Sequence, residues 1–162
     1  MAKKKHEDIT NVMRIAAAAG VTFREYAYDN LLLNAEQVAA ALGQETGRVF
    51  KTLVTVAKSG KYYVFMLPAM AQLDLKKAAK AAGEKNVEMI PQKKLFPLTG
   101  YVHGGCSPIG MKRQFAIFID SSAEEYDTIF FSAGKVGRQI EMSLKDLQSI
   151  YPVKTATLTH TC

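Results

Sequence analysis

Two runs of β-branched and aromatic residues, V-F-K-T-L-V-T-V-A from Val49 and K-Y-Y-V-F-M-L-P-A from Lys61, flank the turn residues Ser59 and Gly60. Such residues pack well on a pleated surface, and a short Ser-Gly link folds one run back on the other. The segment therefore predicts an antiparallel hairpin. A strand sends alternate side chains to opposite faces, so Val49, Lys51, Leu53 and Thr55 point one way and Phe50, Thr52, Val54 and Val56 the other. Lys51 is then a cation in the middle of an apolar strand. Burying an ammonium is costly unless an acceptor or a ligand compensates it, which makes Lys51 a candidate functional residue. The alternative is an edge strand whose lysine lays its stem over apolar neighbours and keeps its charge in water.

The flanking sequence supplies short elements of both kinds. Asp8 and Thr10 are N-cap types ahead of an alanine-rich run closed by Gly20, which predicts a helix over about 8–19. V-T-F-R-E-Y-A-Y, from Val21, alternates at period two as a strand does. Asn34 caps A-E-Q-V-A-A-A-L-G, a helix with Val38, Ala41 and Leu42 on one face and Gly43 at its end. Leu73 to Gly83 is amphipathic, with Lys76, Lys77 and Lys80 outward. A short strand V-E-M-I and a helical turn after Pro91 follow. Q-F-A-I-F-I-D, T-I-F-F-S-A-G and R-Q-I-E-M read as strands, and Ser143 caps the last helix, L-K-D-L-Q-S-I-Y. Strands outnumber helices and no βαβ period recurs, so the expectation is one mixed α+β domain over residues 1–162. The tail, T-A-T-L-T-H-T-C, is expected to be loosely held.

The stretch from Thr99 to Arg113, T-G-Y-V-H-G-G-C-S-P-I-G-M-K-R, holds four glycines and Pro108 between two strands. Glycines let a ligand approach backbone N–H groups and proline stiffens the loop, a combination suited to an oxygen-rich ligand, although an ordinary connection has the same composition. S-A-G-K-V-G-R, from Ser132, is a second glycine turn. Lys135 is not followed by Ser or Thr, so it is not a Walker A loop, but it could line the same pocket. Cys106 and His103 are a conceivable nucleophile and base, and with His160 and Cys162 a conceivable zinc set. A buried, inert Cys106 is the simpler reading, since no Cys-x-x-Cys pair is present. Tyr26, Tyr28 and Tyr101 suit either stacking on a base or the core. A net charge of +6, grouped at Lys3 to Lys5, Lys76 to Lys80, Lys93 to Lys94, Lys112 to Arg113 and Lys135 to Arg138, fits a polyanionic partner as well as plain solubility. Two cysteines make no disulfide framework, and no apolar run approaches the roughly 20 residues that span a bilayer. A cytosolic protein without a membrane partner is expected.

Taken together, V-F-K-T-L-V, L-D-L-K-K-A-A-K, T-G-Y-V-H-G-G-C-S-P-I-G-M-K and F-F-S-A-G-K-V-G-R, in that order and spacing, resemble the YbaK/EbsC family of aminoacyl-tRNA deacylases. The likeness covers nearly the whole chain, and S-P-I-G-M-K is similar to the branch that hydrolyses Cys-tRNA(Pro). The resemblance implies a fold related to the editing domain of bacterial prolyl-tRNA synthetases: a curved, mostly antiparallel sheet or barrel-like core with surrounding helices. It places the family's essential lysine on Lys51, its threonine on Thr52, its aromatic pocket residue on Tyr28, its close-approach glycine on Gly105 and a serine on Ser132. Lys51 and Gly105 are the catalytic candidates. Tyr28, Thr52, Gly104, Ser107, Ser132 and Gly134 are the substrate-binding ones, with no metal and no cofactor. An aspartate that some members carry falls near Gln139, with Glu141 two residues on. The implied chemistry is substrate-assisted, the thiol of the bound cysteine attacking its own ester. The implied partners are the tRNA(Pro) acceptor end and prolyl-tRNA synthetase. The alternatives are a sibling acting on another small residue, as in Ala-tRNA(Pro), and a non-catalytic module that binds tRNA or a synthetase.

Overall fold

The structure, a computed structural model, describes residues 9–29 and 35–160. In chain order the elements are α1 (Asn11–Ala18), β1 (Arg24–Ala27), α2 (Ala35–Ala41), β2 (Phe50–Ala57), β3 (Tyr62–Pro68) and α3 (Leu75–Ala82). They continue as β4 (Val87–Met89), α4 (Leu95–Thr99), β5 (Ala116–Asp120), β6 (Ile129–Ser132), β7 (Arg138–Met142), α5 (Leu144–Ile150) and β8 (Lys154–Ala156). The expected hairpin is β2–β3, with Lys51 opposite Leu67 and Val56 opposite Tyr62. It is the centre of a five-stranded sheet ordered β4-β2-β3-β5-β8. β5 and β8 join it in parallel, while β4 and a second sheet, β1-β7-β6, pair antiparallel. The fold is thus mixed α+β with mainly antiparallel pairing. A single parallel bridge, Val49 to Phe130, links the two sheets, and the described strands stop short of a closed barrel.

Strand alternation decides what each face buries. Val64 and Met66 of β3 and Ile117 and Ile119 of β5 meet Ile129, Phe131, Ile140 and Met142 of the smaller sheet, and Val12, Met13 and Ala16 of α1 join them. The opposite face carries Phe65 and Phe118, covered by Ala78 and Ala79 of α3 and by Leu158. α3 begins at Asp74, whose carboxylate accepts from the N–H groups of Lys76 and Lys77, and ends on Gly83 at φ +74°. α1 is capped by Thr10, which accepts from the Met13 N–H at 3.2 Å. Asp8 and Asn34, the other expected caps, lie outside the described residues.

Two expectations are corrected. The tail is held as far as His160: β8 pairs with β5, the Leu158 N–H donates to Asp120 Oδ1 at 2.9 Å, and the Leu158 carbonyl accepts from the Asp74 N–H at 2.8 Å. One apolar residue among threonines, fully buried beneath α3, is what anchors it. Lys77 does not point outward with Lys76 and Lys80; its ammonium donates to the Thr159 carbonyl at 2.8 Å.

Candidate active site

The site forms where the small sheet leaves the large one. Val49 holds β6 against the start of β2, and β4 pairs with β2 only from Thr55 onward. Between these points, residues 50–53 have no strand partner opposite β3 among the described residues. A cleft of about 480 Å³ fills the gap, which is why the consecutive residues from Phe50 to Val54 all border it. Ser132 of β6, Gln139 of β7, and His103, Gly104 and Cys106 of the first glycine loop form other walls, with Ile90, Gln92 and Leu95 closing one end.

Lys51 is half-buried, and its ammonium donates to the Ala71 carbonyl at 2.6 Å. Burial lowers its pKa below the ordinary lysine value. The carbonyl offers a hydrogen bond without a countercharge, and no Asp or Glu among the described residues borders the cleft. The lysine charge is therefore available to an electron-rich ligand atom. Thr52 Oγ1 and Gln139 Oε1, both withdrawn from solvent, have no hydrogen-bond partner among the described residues. An unpaired buried polar atom costs about 1–3 kcal/mol, so both positions are unusual in a wall that could be apolar. Ser132 is buried, and its hydroxyl accepts from the Gly134 N–H at 3.1 Å, shaping the second glycine turn. Tyr28 borders the cleft, and its N–H ties the end of β1 to the Gly137 carbonyl at 2.9 Å.

Five of the eight predicted residues thus meet: Tyr28, Lys51, Thr52, Gly104 and Ser132. Gly105, Ser107 and Gly134 stand behind the wall. A Cβ on Gly105 would lie 3.0 Å from Val136 N and 3.2 Å from Lys135 C, so the close approach it permits is between the two glycine turns. Ser107 is fully buried, its hydroxyl accepting from the Ile109 N–H at 3.3 Å. Gly134, at φ +94°, faces Val12 and Tyr101. Of the three tyrosines only Tyr28 reaches the cleft. Tyr26 donates to Glu141 at 2.6 Å, and Tyr101 donates to the Ile109 carbonyl. Glu141 also accepts from Thr128 and lies 3.7 Å from Arg48, so the acidic residue of β7 is spent away from the cleft while Gln139 faces it.

Cys106 is 7% exposed, and burial pushes its thiol up to about 12. It is a neutral thiol at physiological pH, unsuited to act as nucleophile with His103. Two results follow from this. Cys106→Ala retains activity, and peptide mapping after iodoacetamide treatment at pH 7.5 finds Cys106 labelled at least about 100-fold more slowly in the native protein than in urea. Labelling at equal rates would restore it as a nucleophile. His160 lies 3.3 Å from Asp74 at the start of α3, apart from His103 and Cys106.

Residues 30–150 match the sequence profile of the aminoacyl-tRNA editing domain. The chain belongs to that family. Across 161 residues, 98% of each chain, it is 47% identical to an Enterococcus faecalis protein, EbsC, whose provisional name is Cys-tRNA(Pro)/Cys-tRNA(Cys) deacylase. It is 26% identical over 112 residues, 69% of this chain and 71% of the relative, to the uncharacterised YwhH of Bacillus subtilis. A crystal structure provisionally described as a trans-editing enzyme for prolyl-tRNA synthetase shares the fold at a TM-score of 0.81, with 22% identity, covering 95% of this chain and all of that one.

For this editing domain the sequence did not single out the Ala71 carbonyl, nor Met89, Gln92 and Leu95 at the cleft end. A backbone acceptor carries no sequence signal, and the other three owe their place to the short pairing of β4 with β2. No helix among the described residues is long and apolar enough to cross a membrane.

Proposed function

We propose that this single-domain editing protein is an aminoacyl-tRNA deacylase acting on Cys-tRNA(Pro), with the thiol of the bound cysteine as nucleophile. The observation that carries the reading is the Lys51 ammonium, fixed on the Ala71 carbonyl in a cleft that no carboxylate among the described residues borders. An aminoacyl ester is already activated, so a site gains most by orienting it and stabilising the negative charge that develops on its carbonyl oxygen. Lys51 supplies that charge. Tyr28, Thr52, Gly104 and Ser132 shape the space around the esterified amino acid, and Gly105, packed against the second turn, holds Gly104 in the wall.

The resemblance implies that the substrate's own thiol is the nucleophile, a route that asks nothing of the neutral, buried Cys106. The substrate's sulfur bonds to the carbonyl carbon as the bond to the ribose oxygen breaks, and the thiol proton ends on that oxygen. The cyclic thiolactone leaves and water opens it to cysteine. The name of the 47% identical relative supports cysteine as the amino acid. Lys93 and Lys94, exposed between Gln92 and Leu95, and Lys135, beside Val136, stand next to cleft residues and suit the phosphates of an acceptor end. Prolyl-tRNA synthetase, acting beside it in the cytoplasm, would supply the choice of tRNA.

The test is release of amino acid from Cys-tRNA(Pro), Cys-tRNA(Cys) and Ala-tRNA(Pro), with and without the synthetase, at rising salt. Cysteine is released at least about 10-fold faster than alanine. tRNA affinity falls with salt at a log–log slope of about −2, as three cations on single-stranded phosphates require. Preference for alanine would make the protein a sibling that uses water. Salt-sensitive binding with no release would make it a non-catalytic module.

A further inference from the structure

Gln139 Oε1 and Thr52 Oγ1 pose one problem in common. Both atoms are out of solvent, both lack a partner among the described residues, and both residues border the same cleft from different sheets. Gln139 is only 6% exposed and sits on β7 directly across from Ser132 of β6. An apolar side chain there would avoid the penalty of an unpaired acceptor. The polar atoms are therefore explained by something that enters the cleft and donates to them. An amide oxygen only accepts, so the visitor must carry a donor. No carboxylate among the described residues borders the cleft to take that donor instead, and Glu141, two residues along β7, is occupied by Tyr26 and Thr128.

We propose that Gln139, assisted by Thr52, is the specificity-determining acceptor for the α-amino group of the esterified amino acid. The assignment rests on an aminoacyl ester being the ligand. Within the amino-acid part of such a ligand the carbonyl oxygen is an acceptor suited to Lys51, the thiol is a weak donor, and the α-amino group is the strong donor. The cleft thus reads the two sides of one carbon: a cation for the carbonyl from β2, an acceptor for the amine from β7. A wall of this kind rejects an analogue that lacks the amine, because the acceptor is then left unpaired.

Binding of two stable analogues tests this without catalysis: tRNA(Pro) carrying cysteine or 3-mercaptopropionate through a 3′-amide. The pair differs only in the α-amine and shares the thiol, the amide and every ribose hydroxyl. The wild type binds the cysteinyl form at least about 10-fold more tightly. Gln139→Leu brings the two within about 2-fold with no loss of thermal midpoint, and Gln139→Glu, which keeps an acceptor, keeps the preference. Equal binding by the wild type, a preference that survives in Gln139→Leu, or a lowered midpoint in that variant would each overturn the assignment. If the analogues discriminate while esters are not hydrolysed, the amine site stands and the deacylase reading falls.

Discussion

Lys51→Met is expected to lose about 10²–10³-fold in the rate of deacylation while the protein stays folded. Methionine keeps the length of the stem and removes only the ammonium. What disappears is the Lys51 charge on the cleft wall, together with the donor to Ala71. Stability does not fall in step, because burial already opposes the charged form of Lys51. The same burial sets a pH dependence. Activity needs the ammonium, so it declines as pH rises through the lowered pKa of Lys51, earlier than an exposed lysine would allow, and that limb is absent in the variant. The linked effect on stability has the opposite sense. Between the lowered folded value and the ordinary unfolded one, the unfolded chain holds the proton more firmly, so raising the pH relieves the cost of burying Lys51 and favours the fold. A rate profile paired with thermal unfolding over the same pH range measures both. Full activity in Lys51→Met would remove the lysine from the chemistry and with it the proposed mechanism.

Gly134→Ala is expected to lower stability by about 2–4 kcal/mol, or roughly 5–15 °C in thermal midpoint for a chain of this length. Two costs combine. The φ of +94° is one that L side chains rarely adopt, and the added Cβ would stand 2.9 Å from Val12 Cγ2 and 3.1 Å from Tyr101 Cε1. Val12 is fully buried in α1, and Tyr101 is held by its hydrogen bond to Ile109, so neither yields easily. Gly60→Ala separates the two costs: its φ is +90°, yet nothing lies within 4 Å of the new Cβ, so it pays the conformational part alone, about 1 kcal/mol. Equal midpoints for the two variants would show that the packing of α1 and Tyr101 against the second glycine turn contributes nothing.

The readable parts of this protein were those fixed by neighbours in sequence. The β2–β3 hairpin follows from two β-rich runs and a Ser-Gly turn, α3 from Asp74, an amphipathic run and Gly83, and Lys51 declared itself by interrupting an apolar alternation. What could not be read depends on where distant strands part. The cleft exists because β6 touches β2 at Val49 and β4 touches it only from Thr55, and no local pattern encodes that gap. Gln139 and Glu141 share a face of β7, and only the folded strands assign Glu141 to Tyr26 and Thr128 and leave Gln139 at the cleft. Gly105 and Gly134 were recognised as special positions, but the reason lies in chain-to-chain packing behind the cleft rather than inside it. The tail misled because seven polar or small residues outweigh one leucine in composition, whereas the buried Leu158 and the pairing of β8 with β5 hold it in place.

The high pKa of Cys106 has a consequence for when the cleft stays usable. Thiolates attack peroxides and disulfides, and a thiol held at about 12 presents almost no thiolate at cellular pH. A thiolate at that place in the wall could be trapped as a mixed disulfide with free cystine; because the Cys106 sulfur stays protonated, the cleft is shielded from that loss.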